Sequence, residues 1–188
     1  MKYFPKMMGS KVFLSPISLE DAERYTAWLN DLSVTRFLTL ASTQISLHGE
    51  REHLESLSKA HNYAIVEKAS GELLGNCGIM DIDETDRSAE VGIFIGEEAK
   101  RGKGYGTEAL TLLCDYAFNV LGLHNLMLRV AAFNGAGQAS YRKIGFKEFG
   151  RRHGSRFYAG GFHDMVYMEL LAKDFGPSRL PGLPGSKA

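Results

Sequence analysis

The chain is short of cysteine, of net charge and of long apolar runs, and each shortage removes a class of function. Cys77 and Cys114 are its only cysteines in 188 residues. That is too few for a disulfide framework, so a reducing cytoplasm is the expected compartment. Its 22 basic residues balance 22 acidic ones, which leaves no global field to draw in nucleic acid or an anionic membrane. No apolar run approaches the length of a membrane span, and residues 1–10 lack the core of a signal peptide. The six histidines, His48, His53, His61, His124, His153 and His163, show no HxxxH or Cys/His metal spacing, so no metal is expected. Internal repeats and long linkers are missing as well. The length suits one domain, expected over residues 1–176, with a flexible Pro/Gly-rich tail from 177 to 188.

What is present is organised around Arg101-Gly102-Lys103-Gly104-Tyr105-Gly106-Thr107. Val91, Gly92, Ile93, Phe94 and Ile95 before it have the length and β-branching of a buried strand. After it Tyr105, Ala109, Leu112, Leu113, Tyr116, Ala117 and Val120 recur at helical spacing, with Glu108, Thr111, Asp115 and Asn119 on the opposite face. Glycines at a strand-to-helix junction, followed by the unpaired N–H groups of a first helical turn, make an anion site suited to phosphate. A P-loop is excluded, because Gly96 lies six residues before Gly102 and Lys103 is followed by Gly104 rather than by Ser or Thr. A dinucleotide fingerprint is met only nominally by Gly104, Gly106 and Ala109, since the strand from Leu126 to Val130 runs into Ala131, Ala132 and Phe133 without a ribose-binding acid.

The remaining elements follow in order. Val12 to Ser15 reads as a strand ending at Pro16, and Ser18 as the cap of a helix striped by Ala22, Tyr25, Leu29 and Leu32. A second helix is expected over about residues 46–60, with Leu47, Leu54 and Leu57 inward and residues 35–44 irregular before it. Tyr63 to Glu67 and Leu73 to Ile82 form a hairpin, and Asp81, Asp83, Glu84 and Asp86 make an acidic cluster that is either a solvated turn or a lure for a cationic molecule. A strand at Leu126 to Val130, a helix from Gly135 to Ile144 closed by Gly145, and a last hairpin, 147–156 with 162–171, complete the chain. This order, with hairpins at both ends and one βαβ unit at the centre, predicts a mixed α/β fold with helices on both faces of its sheet.

Arg101-x-x-Gly104-x-Gly106 resembles the (Arg/Gln)xxGx(Gly/Ala) pyrophosphate loop of the GNAT superfamily of acetyl-CoA-dependent N-acetyltransferases. Asn134 to Phe146, with Tyr141-x-Lys143-x-Gly145-Phe146, is similar to the family's downstream helix and exit turn. The resemblance covers roughly residues 10–172 and is closest to the branch of ribosomal-protein alanine and spermidine N-acetyltransferases. It implies a largely antiparallel sheet of about seven strands with a splayed parallel pair at its centre, the strands ending near Ile95 and Val130, and pantetheine in the gap. By the same resemblance acetyl-CoA, as cosubstrate, would meet Ile93, Phe94, Ile95, Arg101, Gly102, Lys103, Gly104, Tyr105, Gly106, Thr107, Asn134, Ser140 and Lys143.

The implied reaction is direct attack of a primary amine on the thioester, which needs a base, stabilisation of the oxyanion and a proton for the departing thiolate. Glu90, eleven residues before Arg101, matches the catalytic glutamate of histone-type members; its bland alternative is a strand-end acid paired with Arg87 or Arg129. Tyr141, seven residues after Asn134, is the expected acid, against a core-facing aromatic. Asn134 is either a cofactor contact or a helix cap. Neither cysteine sits where an acyl-carrying nucleophile would, and both read as buried packing. The acceptor is left open among a protein N-terminus, a polyamine and other small amines, the enzyme being a monomer or homodimer. The rival of another class is a non-catalytic acyl-CoA sensor or interaction module.

Overall fold

Residues 2–181 are described by the computed structural model. Their elements are β1 (Met7–Met8), β2 (Val12–Pro16), α1 (Ala22–Asn30), α2 (Leu32–Thr35), α3 (Leu47–Ser58), β3 (Asn62–Glu67), β4 (Leu73–Asp83), β5 (Ser88–Ile95), α4 (Tyr105–Asn119), β6 (Asn125–Ala131), α5 (Gly135–Ile144), β7 (Lys147–Tyr158), β8 (Gly161–Leu171) and α6 (Ala172–Phe175). The strands form one sheet in the order β1-β2-β3-β4-β5-β6-β8-β7. β5 and β6 pair parallel, while the other recorded pairings are antiparallel. The expected mixed fold is therefore present, with eight strands rather than about seven because the two-residue β1 folds back on β2. One helix start differs. Ser18 makes no capping bond, and Leu19–Asp21 is a 3-10 turn that leads into α1.

Packing divides the chain into two compact units, and β4, β5 and α4 each pass through a boundary. The first contains the residues up to Gly78 together with Ile93–Leu112. Its core gathers Ile17, Ala22, Tyr25, Trp28, Val34, Leu54, Ala64, Val66 and Leu73. Ser46 caps α3 by accepting from the Gly49 N–H at 3.0 Å. Leu47, Glu50, Leu54 and Leu57 fall at the i, i+3, i+7, i+10 spacing of its inward stripe. Glu50 is thus a carboxylic acid at an apolar position, 2% exposed, and its side chain bonds to no described residue. Burial pushes its pKa from 4.5 up to about 7.

The second unit contains Ile79–Gly92 and the residues from Leu113 onward. One face of its strands is apolar and buried, through Ala89, Leu126, Leu128, Val130, Val166, Met168 and Leu170. The alternate positions, Glu90, Met127, Arg129, Tyr167 and Glu169, are more exposed. The tail departs from expectation over 177–181. Asp115 of α4, 1% exposed, accepts from the Ser178 hydroxyl at 2.7 Å and the Arg179 N–H at 2.6 Å, and Leu180 is buried beside them. A buried carboxylate needs donors, and these residues supply them. Residues 182–188 lie outside the described residues.

Candidate functional site

In the first unit β5 delivers Ile93, Phe94 and Ile95 to the start of the glycine-rich stretch. Phe94 packs edge-on against Tyr25 and Trp28, with ring centroids 6.0 and 6.2 Å apart. A short 3-10 turn, Glu98–Lys100, reverses the chain, and residues 101–104 then lead into α4. Gly102 and Gly104 adopt φ of +72° and +87°, in the left-handed region where a side chain is strained. Among the described residues, the N–H groups of Gly102, Lys103, Gly104, Tyr105 and Gly106 have no carbonyl partner. A turn of this kind leaves several N–H groups available to one anion.

Several charged side chains around the loop, Arg101, Glu67 and Glu108 among them, hold its shape. The Arg101 guanidinium turns inward and donates to the carbonyls of Ile95 (3.0 Å), Ser33 (3.3 Å) and Gly96 (3.4 Å). Glu67, at the end of β3, grips both flanks of the loop. It accepts from Lys100 Nζ at 2.6 Å, from the Ser70 hydroxyl at 2.6 Å and from the Tyr105 hydroxyl. Those donors, Lys100 first, lower its pKa to about 2. Glu108, in the first turn of α4, accepts the backbone N–H groups of Ser10, Lys11 and Val12 at 2.8, 2.8 and 3.0 Å. Glu67 and Glu108 carry no local signal of this in the sequence, because each acts on residues distant along the chain.

In the second unit the registered pairs between β5 and β6 are Ser88↔Asn125, Ala89↔Leu126 and Glu90↔Met127. Glu90 therefore stands at the last registered pair. Arg129, two residues farther along β6 on the same face, donates through Nε to Glu90 Oε1 at 2.8 Å. This is one of the two pairings that the bland reading of Glu90 names; Arg87 instead donates to the carbonyl of Gly122 at 2.6 Å. Beside Glu90 opens a cavity of about 370 Å³ with three carboxylates in its wall, Asp81, Glu90 and Glu169, together with Met127 and Phe149. Asn125 Nδ2 braces Glu169 at 3.3 Å. Sequence reading reached Asp81 and Glu90 but not Glu169 or Phe149, which come from the last hairpin. Asp83, which the sequence grouped with Asp81, instead caps its own turn by accepting from the Thr85 and Asp86 N–H groups.

Helix α5 carries the other expected residues. Asn134 is its N-cap, accepting from the Gly137 N–H at 2.9 Å. The Tyr141 ring meets Phe146 edge-on at 6.3 Å. Burial raises the Tyr141 pKa to about 12, so its hydroxyl stays protonated at neutral pH, and it bonds to no described residue. Ser140 is partly buried and Lys143 exposed on the same helix. Both cysteines are buried thiols, and burial pushes the Cys77 thiol well up, as packing rather than nucleophilic residues require. Among the described residues no group of three or more His, Cys, Asp or Glu could hold a metal ion. Nor is any helix among the described residues long and apolar enough to cross a membrane.

A family model described as an acetyltransferase (GNAT) domain matches residues 11–147. The chain is 26% identical over 170 residues to the uncharacterized N-acetyltransferase p20 of Bacillus licheniformis, spanning 88% of this chain and 95% of that protein. It is 32% identical over 111 residues to the spermidine N(1)-acetyltransferase of Vibrio cholerae serotype O1, spanning 59% of this chain and 64% of that protein. In fold it resembles a crystal structure of spermidine N-acetyltransferase from Vibrio cholerae in complex with CoA and spermine, at TM-score 0.80 and 22% identity, over 89% of this chain and 99% of the other.

Proposed function

Because the chain belongs to the acetyltransferase (GNAT) family, we propose that it transfers acetyl from acetyl-CoA to a primary amine by direct attack in a ternary complex. The observation that carries this reading is the loop from Gly102 to Gly106, with two left-handed glycines and a run of unpartnered N–H groups. It suits a pyrophosphate, which those N–H groups and Lys103 would hold. Ile93 to Ile95 and, on α5, Asn134, Ser140 and Lys143 are proposed as the rest of the acetyl-CoA surface. The thioester supplies an activated acetyl group; the chain supplies position and protons.

Glu90 takes the proton of the acceptor ammonium, directly or through water, while Arg129 keeps one of its carboxylate oxygens fixed. Tyr141 gives a proton to the departing sulfur, a role supported by a hydroxyl that is protonated at neutral pH and bonded to no described residue. The three-carboxylate cavity next to Glu90 supports an acceptor that enters as a cation, with Met127 and Phe149 to cover its carbon chain. Protein N-termini, polyamines and other small amines remain in that class. With only two cysteines in the chain, too few for a disulfide framework, a cytoplasmic setting is the reading supported.

The test is a mass-spectrometric screen of amine and peptide acceptors with acetyl-CoA. Acetylated product with stoichiometric release of free CoA is expected. Tight binding of acetyl-CoA with no turnover on any amine would replace the enzyme by a sensor or interaction module.

A further inference from the structure

Lys11 immediately precedes β2, far in sequence from the glycine-rich loop, yet its ammonium lies on that loop. Nζ donates to the carbonyl of Lys103 at 3.0 Å. A Cβ placed on Gly104 would sit 3.4 Å from the same nitrogen. The position is built, since Glu108 binds the N–H groups of Ser10, Lys11 and Val12, and so fixes the backbone at Lys11 to the first turn of α4. The other cations near the loop are differently placed. Lys103 belongs to the loop itself, Lys100 is paired with Glu67, and Arg101 donates to the carbonyls of Ile95, Ser33 and Gly96. Lys11 has no carboxylate partner among the described residues, and two of its three ammonium protons remain available.

We propose that Lys11 is a phosphate-binding residue of the cosubstrate site, placed there by Glu108. The proposal rests on the acetyl-CoA reading. The shared chemistry is a phosphate group, whether the pyrophosphate cradled by the loop or the 3′-phosphate of the nucleotide. An ammonium already anchored beside left-handed glycines adds a charge-assisted hydrogen bond to the neutral N–H groups without having to be ordered on binding.

Calorimetric titration of the full chain with acetyl-CoA and with 3′-dephospho-CoA, at low and high salt, tests this without needing an acceptor. Lys11→Met is expected to weaken acetyl-CoA binding roughly tenfold at low salt, with a shallower salt dependence. Lys11→Gln, which keeps a donor but no charge, is expected to lose about as much and separates loss of charge from loss of the tether to Lys103. If the loss persists with 3′-dephospho-CoA, the partner is the pyrophosphate; if it vanishes, the partner is the 3′-phosphate. A variant that melts like the parent and binds acetyl-CoA with parental affinity and salt dependence overturns the proposal. A parent protein that binds no acetyl-CoA overturns the cosubstrate reading instead.

Discussion

Replacing Glu50 by Gln is expected to make the protein more stable at pH 8 and to leave it unchanged near pH 4.5. The carboxyl sits in the apolar stripe of α3 without a described partner, and burial raises its pKa from 4.5 to about 7. A raised acid favours the protonated folded state. Its contribution is fully present below pH about 4.5, falls as pH climbs toward 7, and is gone above that. At about 1.4 kcal/mol per pH unit the interval amounts to about 3 kcal/mol. Gln keeps the shape and cannot ionise, so the variant escapes this loss, and its melting temperature at pH 8 should stand roughly 6–12 °C above the parent's. Urea unfolding of both proteins from pH 4.5 to 8 measures the difference directly. Taking the difference cancels the carboxylates whose pKa is lowered, such as Glu67, which act in the opposite sense. Parallel stability curves over that range would refute the reasoning, because the Glu50 carboxyl would then titrate alike in both states.

Three further outcomes are expected. Acetyl-CoA should raise the melting temperature by linkage while ATP and NAD at equal concentration do little, and Gly104→Val should abolish the shift, since φ of +87° excludes a β-branched residue; unchanged binding by that variant would remove the loop from the cosubstrate site. Glu90→Gln should depress turnover most at low pH, with part of the loss recovered at high pH, whereas the Tyr141→Phe defect should persist there with acetyl-CoA affinity little changed. Rates against pH for both variants separate the two roles, each worth roughly a hundredfold to ten-thousandfold. Asp115→Ala should release residues 178–180 to protease at a cost of about 1–3 kcal/mol, because it leaves the Ser178 hydroxyl and the Arg179 N–H without their acceptor; unaltered cleavage of the tail would show that the contact does not hold it.

Strand and helix order, the glycine-rich loop and the Asn134 helix were legible because each is written in local spacing, and periodicity reports local spacing well. It failed where side chains meet segments remote in sequence. Glu108 and Asp115 read as the solvent face of α4, yet one binds the turn before β2 and the other the tail. Both are polar because they accept backbone N–H groups, which is invisible to a hydropathy pattern. Glu50 occupies an apolar position that its residue type disguises. The cavity draws its third carboxylate, Glu169, from a hairpin seventy-nine residues beyond Glu90, and Lys11 reaches the loop only through the fold.

The inward turn of Arg101 bears on the motif itself, whose first position admits arginine or glutamine. A charged contact to phosphate would be lost in that exchange, since glutamine carries no charge. The carbonyls of Ile95, Gly96 and Ser33 ask only for N–H groups at the right distance, and an amide can provide them as a guanidinium does, with fewer contacts. The two residues are interchangeable at this position because both are donors. A search that scores the first motif position for positive charge would be weighting a property that the loop does not use.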